Sequence, residues 1–522
     1  MFIPPTADQV LEAARIVGLH LESDEVAVYQ QRVAEQLRHH SDFLADRLDE
    51  SCPPLESPAR EPGHRPGPEA DPLGAWMWRC EIPGAPSGPL SGCRVGVKDQ
   101  VSVAGIPQAF NSRSLADYVP EFDATVVTRM LAAGGTICGK NTMSGFLDEY
   151  PVPRNPHDHD RTPGGSSSGS AVAVAAGDVE VSIGGDQGGS IRIPAAYCGV
   201  VGLKPTFGLV SHFGVTYGFE PTLDHVGPIA RRVEDVARTL DVIAGPDGLD
   251  PRQGREVPDR VDTTSWLDRG IAGLRVGVLT ESFDEPIDPG VAAAVWAAMS
   301  VLAAAGAVVE RISVPGHRRF DDVYAALAID GTRAVLDTGP FGTGHQGWYP
   351  GATGAAIGGM WREHLDLLPP RIKVNHLAGQ LSRKLYGGAV YAKAQNVRRA
   401  FRRVYGEALE RVDVLVMPTV RAVAPVRDEL RDGPVEDRRA TLIRDVDEHN
   451  WMYTSSAYNT KPLNYTGHPA LSVPCGKVLG LPVGMQLVGR HFEDGTLLRT
   501  AFAYQSAVDW DDLTALPAGV DR

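Results

Sequence analysis

Two glycine- and serine-rich clusters lie close together in the chain, between Gly164 and Thr206. The first cluster reads GGSSSG from Gly164, and the second reads GGDQGGS and ends at Ser190. Glycine allows backbone N–H groups to approach a ligand closely, and successive N–H groups that point into one concavity can hold a developing oxyanion. The clusters flank a predicted helix and strand and are followed by the ordered run IRIP. The pattern therefore predicts an oxyanion-binding site rather than a mobile linker.

Three shorter motifs in the same region point to other chemistries, and each lacks part of its pattern. Gly165–Gly169 matches G-x-S-x-G, which would make Ser167 the nucleophile of an α/β-hydrolase, but a polar loop precedes it where that fold needs a strand. Neither cluster is followed by Lys-Ser or Lys-Thr, as a phosphate-binding loop requires. His157 and His159 alternate with aspartates, yet no H-E-x-x-H or further ligand cluster accompanies them. We therefore expect no metal and no cofactor.

The stretch from Gly164 to Thr206 strongly resembles the signature of the amidase signature family, which consists of serine hydrolases with a Ser–Ser–Lys triad. By this resemblance Ser190 is the nucleophile, Ser166 is the bridging serine, and Lys98, in GVKD, is the base. Other segments that resemble the family are GLKPTFGLVS, DHVGPIARRVEDVA, DVLVMPT, NYTGHPALSVPCG and LPVGMQLVGRHFED. The wording DQGGSIRIPAAYCGVVG, the helical N-terminal appendage and DPRQ at 250–253 are most similar to the amidases of bacterial nitrile degradation.

The resemblance implies hydrolysis of a small carboxamide to a carboxylic acid and ammonia or an amine, through an acyl-enzyme on Ser190. A serine hydroxyl needs a base, and lysine is a base only when neutral, so burial must lower the pKa of Lys98. Ser166 would pass a proton from Ser190 to Lys98 and return one to the leaving amine, because an amine anion is a very poor leaving group. The expected oxyanion donors are the backbone N–H groups of Gln187, Gly188, Gly189 and Ser190.

Residues around the serines carry structural or pocket-forming expectations. Asp186 and Arg192 flank the nucleophile and are expected to hold its loop by hydrogen bonds. Cys198 is expected to be a small buried hydrophobe rather than a thiol nucleophile. The candidate acyl-pocket residues, for which ordinary core packing is an equal alternative, are Met143, Phe146, Leu147, Tyr217, Phe219 and Leu223.

Some positions depart from the family pattern and leave the substrate open. Ser168 replaces a glycine of the usual GGSSGG, Gly145 stands where an acidic residue is common, and the segment between Lys140 and Ser166 is short. Hydrolysis of esters, anilides or carbamates by the same triad is one alternative. A glutaminase subunit of a tRNA-dependent amidotransferase is another, although Ile193 stands where such subunits usually carry glutamine. A non-catalytic protein with a relic site is a third, against which the complete triad argues.

The elements that would position these residues alternate between short strands and helices from about residue 92. A strand over 93–97 ends at Lys98, and Asp123 is expected to cap a helix over 126–131. A helix over 171–176, ended by Gly177, precedes a strand over 179–183. Later patterns predict helices over 233–244 and 291–305 and strands over 274–279, 308–314, 412–417, 471–473 and 483–488. This alternation predicts an α/β fold with a large, mixed, mostly parallel sheet covered by helices on both faces, as in the amidase-signature fold.

Residues 1–70 are predicted to form a helical appendage and a linker. Thr6 and Gln9 resemble a capping box, two amphipathic helical patterns follow, and seven prolines lie between Cys52 and Pro72. Residues 71–522 are predicted to form the catalytic domain. Within it, residues 320–400 are rich in Gly, Tyr, Trp and His without clean periodicity, which predicts a variable, pocket-forming insertion.

Composition narrows the functional classes. The 522 residues carry a formal net charge of −15, which argues against a nucleic-acid partner. Six cysteines without a C-x-x-C pair, and no evident signal peptide, favour a reducing cytoplasmic compartment. The uncharged run 291–309 predicts a buried helix, a turn and a strand rather than a membrane span. We expect a homodimer with a small-molecule amide substrate and no membrane partner.

Overall fold

The structure is a computed structural model, and it describes residues 2–46, 48, 52–57, 59–144, 150, 152–217, 220–339, 341–342, 344–368, 370–427 and 456–517. The chain divides into two compact units, Met1–Pro53 and Pro54–Arg522.

The first unit contains two helices, α1 (Ala7–Val17) and α2 (Val26–Ala45). The predicted capping box is confirmed: Gln9 N donates to Thr6 Oγ1 at 3.2 Å and Thr6 N donates to the Gln9 side chain at 2.9 Å. Gly18 ends α1 with a φ of 77°, a backbone conformation that favours glycine. Gln30 Nε2 of α2 donates to Pro5 O at 2.9 Å, which joins α2 to the residues that precede α1.

The second unit is built on an eleven-stranded sheet. Its strands are β1 (Trp76–Ile82), β2 (Arg94–Lys98), β3 (Thr136–Asn141), β4 (Val181–Asp186), β5 (Val201–Lys204), β6 (His225–Ala230), β7 (Arg275–Leu279), β8 (Val308–Ile312), β9 (Val414–Pro418), β10 (Ala470–Val478) and β11 (Leu481–Val488). They are arranged in the order β1-β3-β2-β4-β6-β5-β10-β11-β9-β7-β8.

Helices connect these strands. They are α3 (Thr125–Ala132), α4 (Ser168–Ala176), α5 (Arg192–Cys198), α6 (Val233–Ile243), α7 (Pro289–Ala304), α8 (Phe320–Thr338), α9 (Gly351–His364), α10 (Pro370–Tyr386), α11 (Ala389–Arg411), α12 (Lys461–Thr466), α13 (Asp494–Ala507) and α14 (Trp510–Thr514). The predicted α/β class and the large mixed sheet are confirmed.

The strand directions correct one detail of the prediction. Parallel pairing is limited to β3–β2–β4 on one side and β9–β7–β8 on the other. The central run β4–β6–β5–β10–β11–β9 and the edge pair β1–β3 are antiparallel, so the sheet is not mostly parallel. The physical reason is connectivity: β10 and β11 form a hairpin across Leu479 and Gly480, and such tight turns reverse the chain without a crossover helix.

Both faces of the sheet are covered by apolar side chains. Neighbouring residues of β3 show this, because Ile137 and Cys138 lie in different hydrophobic clusters and adjacent strand residues point to opposite faces. The Ile137 face packs against α3, α6 and α7, whereas the Cys138 face packs against α4 and α5. The prediction of helices on both faces is confirmed.

The expected cap of α3 is wrong. The N-cap is Ala124, without a side-chain hydrogen bond, and Asp123 is turned to other donors. Its carboxylate accepts from Ala104 N at 2.9 Å and from two nitrogens of Arg60 at 2.7 and 2.5 Å. The Asp123 carboxylate, which the sequence pattern assigned to the helix cap, therefore forms a buried ion pair with Arg60 instead.

The Arg60–Asp123 ion pair also attaches the proline-rich segment to the second unit. Arg60 lies within it, and His64 exchanges backbone hydrogen bonds of 2.9 and 2.8 Å with Arg79 of β1. The chain from Pro54 onward is therefore attached to the second unit over much of the predicted linker.

Residues 320–400 are more regular than their composition predicts, because four helices, α8 to α11, begin within them. The uncharged run 291–309 forms α7, a turn at Gly306 and the start of β8, as predicted. Across the described ranges, none of the helices has the length and apolar character needed to cross a membrane.

We predict that Arg60→Ala lowers the free energy of unfolding by about 3–5 kcal/mol, because it leaves the Asp123 carboxylate buried without its cation. Urea denaturation measures the change. Arg60→Ala/Asp123→Asn, which keeps an acceptor for Ala104 N but removes the charge, is expected to recover part of the loss. Arg15→Ala, which breaks an exposed pair with Glu12, serves as the control and should leave stability unchanged. Equal stability of the Arg60→Ala and wild-type proteins would contradict the prediction.

Candidate active site

The candidate site lies where two parallel strands end at the same edge of the sheet. β2 and β4 are hydrogen-bonded neighbours in parallel, so their carboxyl ends lie side by side. Lys98 is the last residue of β2, and β4 leads directly into the 187–190 loop and then into α5. The GGSSSG cluster precedes α4. These connections bring the lysine and both serine clusters to one place.

Lys98 is in direct contact with Ser166, the first serine of the predicted triad. Its Nζ lies 2.7 Å from Ser166 Oγ and donates to Gly185 O at 3.2 Å. The side chain is almost fully buried, with 1% of the residue exposed. Burial lowers the pKa of Lys98 to about 7, while the negative charges of Asp224 and Asp186 act in the opposite direction. A large fraction of this amine is therefore neutral near pH 7, as a general base requires.

The second serine is held beside the first by the backbone. Ser167 N donates to Ser190 O at 3.1 Å, which ties the two glycine-rich loops together. Between the Ser166 and Ser190 hydroxyls, both of which belong to described residues, there is no hydrogen bond in this conformation. Rotation about one side-chain torsion changes where a serine hydroxyl points, and catalytic hydrogen bonds often tighten only when substrate binds.

The neighbouring hydroxyls of the first cluster are engaged elsewhere. Ser167 Oγ donates to Gly185 O at 3.0 Å and accepts from Gly185 N at 3.2 Å, and its side chain is buried. Ser168 Oγ lies 3.5 Å from Thr142 O. Ser167 thus pins the loop to β4 and does not serve as the nucleophile of a G-x-S-x-G site, while the extra hydroxyl of Ser168 is accommodated in the interior.

A buried ion pair supports the nucleophile loop, as predicted for Asp186 and Arg192. Arg192 Nε and Nη2 donate to the Asp186 carboxylate at 3.0 and 2.9 Å. The carboxylate also accepts from Gly189 N at 2.7 Å and Ile191 N at 3.1 Å. Burial by itself would raise the pKa of Asp186, but the charge and hydrogen bonds of Arg192 outweigh it and the net pKa lies well below its usual range.

Three residues from the carboxyl-terminal part of the chain complete this support, and the sequence interpretation did not identify them. Arg192 donates to Thr460 O at 3.0 Å, to Asn464 Oδ1 at 2.6 Å and to Gln486 Oε1 at 2.7 Å. They lie 268 to 294 residues after Arg192, and no spacing rule connects them to it. The signal in the sequence was the family-like segments NYTGHPALSVPCG, which includes Asn464, and LPVGMQLVGRHFED, which includes Gln486; no signal pointed to Thr460.

The hydrogen bonds correct the expected set of oxyanion donors. Gly189 N already donates to Asp186 Oδ1, so this amide is not available to an oxyanion. The amides of Gln187, Gly188 and Ser190 have no acceptor among the described residues. Gly189 instead serves the shape of the loop: its φ is 133°, and a Cβ there would lie 2.4 Å from Thr460 Oγ1.

The candidate pocket residues are placed unevenly. Met143 is buried next to Ser144, whose N–H donates to Ser166 O at 3.2 Å. Tyr217 is buried and stacks on His212 with ring centroids 4.8 Å apart. Leu223 is fully buried in a hydrophobic cluster with Tyr324, which agrees with the core-packing alternative. The remaining candidates lie outside the described residues: Phe146, Leu147 and Phe219.

The side chains considered for a metal site and for a thiol nucleophile make structural contacts instead. His157 Nε2 bonds to Cys198 O at 2.9 Å, and burial lowers the pKa of His157 to about 4. The Cys198 thiol is buried 3.6 Å from Pro163 O, and burial raises its pKa. In the part of the chain that the structure describes, no three His, Cys, Asp or Glu side chains group in a way that could hold a metal ion.

Comparisons with known proteins agree with this geometry. A family model described as Amidase matches residues 76–498. The enantioselective amidase of Rhodococcus rhodochrous is 40% identical over 450 residues, which cover 84% of this chain and 84% of that protein. A glutamyl-tRNA(Gln) amidotransferase subunit of Symbiobacterium thermophilum is 40% identical over 435 residues, which cover 80% of this chain and 83% of that protein.

A solved structure gives the same result at the level of the fold. The crystal structure of a glutamyl-tRNA(Gln) amidotransferase subunit from Thermotoga maritima has a TM-score of 0.68 to this chain and 30% sequence identity, covering 86% of this chain and 90% of that one. The resemblance predicted from the serine clusters is thus confirmed, and the chain belongs to the amidase family.

Proposed function

We propose that this protein hydrolyses a small carboxamide to a carboxylic acid and ammonia or an amine, through an acyl-enzyme on Ser190. As a member of the amidase family, the chain is a hydrolase that acts on amides. The observation that carries the assignment of roles is the 2.7 Å contact between Ser166 Oγ and the buried Nζ of Lys98. A lysine in this setting is a base for a serine rather than a surface cation.

In the first step, Ser190 Oγ attacks the carbonyl carbon of the amide. The proton of Ser190 passes to Ser166 Oγ while the proton of Ser166 passes to Lys98 Nζ. Lys98 thereby becomes an ammonium, Ser166 is again a hydroxyl, and Ser190 Oγ is bonded to the substrate carbon. The carbonyl oxygen becomes an oxyanion. The amides of Gln187, Gly188 and Ser190 are the donors for it, because none of the three is engaged within the described chain.

In the second step, the C–N bond breaks and the proton returns. Lys98 gives its proton through Ser166 to the leaving nitrogen, which departs as ammonia or an amine. Water then attacks the acyl-enzyme, its proton passes by the same route to Lys98, and the collapse of the second tetrahedral intermediate returns a proton to Ser190. No group outside the chain, the substrate and water is needed for the balance.

The same residues support other acyl substrates. Esters, anilides and carbamates present a carbonyl carbon to Ser190 in the same way, so preference among them depends on the pocket and not on the triad. A glutaminase subunit of a tRNA-dependent amidotransferase is the second candidate, favoured by the 40% identity to a subunit of such an enzyme. Ile193 weighs against it. Co-purification of partner subunits with glutaminase activity would favour the amidotransferase assignment over a free-standing amidase.

The remaining parts of the proposal concern organisation. We propose a catalytic domain over residues 71–522, with 320–400 as its variable pocket-forming part and residues 1–70 as an appendage, of which the part from Pro54 onward packs within the second unit. The family match begins at residue 76, which agrees with this division. A homodimer in the cytoplasm is proposed from the amphipathic helices and the cysteine usage of the sequence. Light scattering of the purified protein tests the dimer.

We predict that Ser190→Ala abolishes hydrolysis of benzamide and 4-nitroacetanilide and abolishes labelling by a fluorophosphonate, with the melting temperature preserved. Intact-mass spectrometry measures the label. Ser168→Ala is the matched control, because that hydroxyl lies against Thr142 O, and it should retain the label. A fully active Ser190→Ala protein would end the assignment of this residue as nucleophile.

The pH dependence follows from the pKa of Lys98, which burial lowers to about 7. The neutral amine is the active form, so the rate of Ser190 labelling should rise with pH through about 7 and fall about tenfold per pH unit well below it. Stopped-time labelling between pH 5 and 9 measures the profile. A rate that is flat over this range, or that falls as the pH rises, is incompatible with a lysine base.

Lys98→Ala is expected to reduce amide hydrolysis far more than ester hydrolysis. The 4-nitrophenolate of an activated ester can leave without a proton, whereas an amine anion is a very poor leaving group. The ester therefore loses only the base, and the amide loses both the base and the returned proton. Parallel assays of 4-nitrophenyl acetate and 4-nitroacetanilide measure the ratio of the losses. Equal losses on both substrates would show that Lys98 does not protonate the leaving group.

A further inference from the structure

In the loop after β4, each peptide group that carries a candidate oxyanion donor is held through its carbonyl oxygen, which accepts a hydrogen bond from the protein. In a trans peptide the C=O of one residue and the N–H of the next point in opposite directions. The carbonyl that precedes an oxyanion donor therefore sets the direction of that donor. For the amides of Gln187, Gly188 and Ser190, the controlling carbonyls belong to Asp186, Gln187 and Gly189.

Each of these three carbonyls accepts a hydrogen bond. Asp186 O accepts from Asn464 Nδ2 at 2.8 Å, and Gly189 O accepts from Ile193 N at 2.7 Å. Both of those donors belong to the frame around Arg192. Gln187 O accepts from the hydroxyl of Tyr324 at 3.1 Å. Tyr324 lies on α8, in the 320–400 part of the chain, far from both serine clusters in sequence.

Tyr324 is itself held in place. It is buried in a hydrophobic cluster with Phe320, Leu327 and Leu463, and Lys461 Nζ lies 5.1 Å from the centre of its ring. Gly188 leaves the room for its hydroxyl, since a Cβ at that position would lie 2.5 Å from the Tyr324 oxygen. The side chain of Gln187 is also bound, through a hydrogen bond from Nε2 to Asp224 Oδ2. The peptide between Gln187 and Gly188 is thus fixed from outside the loop.

We propose that Tyr324 is a positioning residue for the oxyanion site: its hydroxyl, by holding Gln187 O, aims the N–H of Gly188 at the reacting carbonyl oxygen. The assignment rests on the proposed function, because it presumes attack by Ser190. It also gives the 320–400 region a part in the reaction itself, beyond forming pocket walls. Tyr324 touches neither substrate nor reacting atoms in this role, so its effect is confined to the stabilisation of the oxyanion.

The test is Tyr324→Phe, which removes one hydroxyl and keeps the ring. Phosphonylation of Ser190 by a fluorophosphonate is the main readout, because the phosphoryl oxygen occupies the oxyanion site and the natural substrate is not needed. We expect the rate to fall about 5- to 50-fold, with the midpoint of its pH profile unchanged, because Lys98 keeps its surroundings. Phenylboronic acid, which forms a tetrahedral adduct with serine, should bind more weakly by a similar factor.

Tyr504→Phe is the matched control. Tyr504, on α13, is also buried and donates to a backbone carbonyl, Cys475 O, at 3.2 Å, but it lies outside the site. It should label at the wild-type rate. Melting temperatures of both variants separate a local effect from general loosening.

Gly188→Ala is a second variant, and it tests the same contact if Tyr324→Phe changes the stability of the protein. Gly188→Ala places a Cβ against the Tyr324 hydroxyl, so it should slow labelling strongly in the wild-type background and less strongly in the Tyr324→Phe background. Equal effects in the two backgrounds would show that the two residues do not act through this contact.

Three results would overturn the proposal. They are a Tyr324→Phe rate within twofold of wild type, a loss matched by Tyr504→Phe, and a shift of the pH midpoint, which would place the effect on Lys98. Failure of the proposed function itself would look different, because Ser190 would then remain unlabelled in the wild-type protein.

Discussion

The free-energy cost of placing a charge on one buried amine is the constraint on which the rest of the site depends. Lys98 is enclosed at the end of β2, with a hydroxyl and a peptide carbonyl as its hydrogen-bonding neighbours. In water an amine of this kind is almost entirely protonated at neutral pH and is useless as a base. Because desolvation disfavours the ammonium form, the fold converts an ordinary side chain into a proton acceptor.

The two carboxylates that oppose this effect also position the loop that bears Ser190, the proposed nucleophile. Asp186 is bound by Arg192 and accepts two loop amides, and Asp224 accepts from the side chain of Gln187. Their charges act against the loss of the proton from Lys98, so the same two carboxylates influence the pKa of the lysine and hold the loop in place. A buried ion pair such as Asp186–Arg192 contributes little net stability by itself, but it admits few alternative geometries when every donor has an acceptor. That property suits a loop whose amides must point in set directions.

The mixed sheet explains how distant parts of the chain meet at this edge. The parallel strands β2 and β4 end together, which brings Lys98 beside the nucleophile loop. The antiparallel centre of the sheet places β11 and the segment before α12 behind that loop, where Gln486 and Thr460 meet Arg192. Helix α8, which follows β8, contacts the same loop through the Tyr324 hydroxyl. The proposed catalytic groups come from the first half of the chain, and much of their support comes from the second half.

Local patterns in the sequence were enough to predict an oxyanion-binding site and the elements nearest to it in the chain, and the resemblance of the serine clusters to the amidase signature family gave the class of chemistry. The glycine and serine clusters, the strand ending at Lys98 and the capping box at Thr6 and Gln9 are such patterns, and they are set by backbone sterics and short-range hydrogen bonds. Which groups bind one another across longer stretches of chain emerged only in the folded molecule. Asp123 binds Arg60 instead of capping α3, the Gly189 amide donates to Asp186 instead of to an oxyanion, and the central strands are antiparallel. The predicted roles assumed that each of these residues binds a group close to it in sequence or keeps its own polar group free. Burial in the folded chain instead favours the arrangement in which each polar group has a hydrogen-bonding partner.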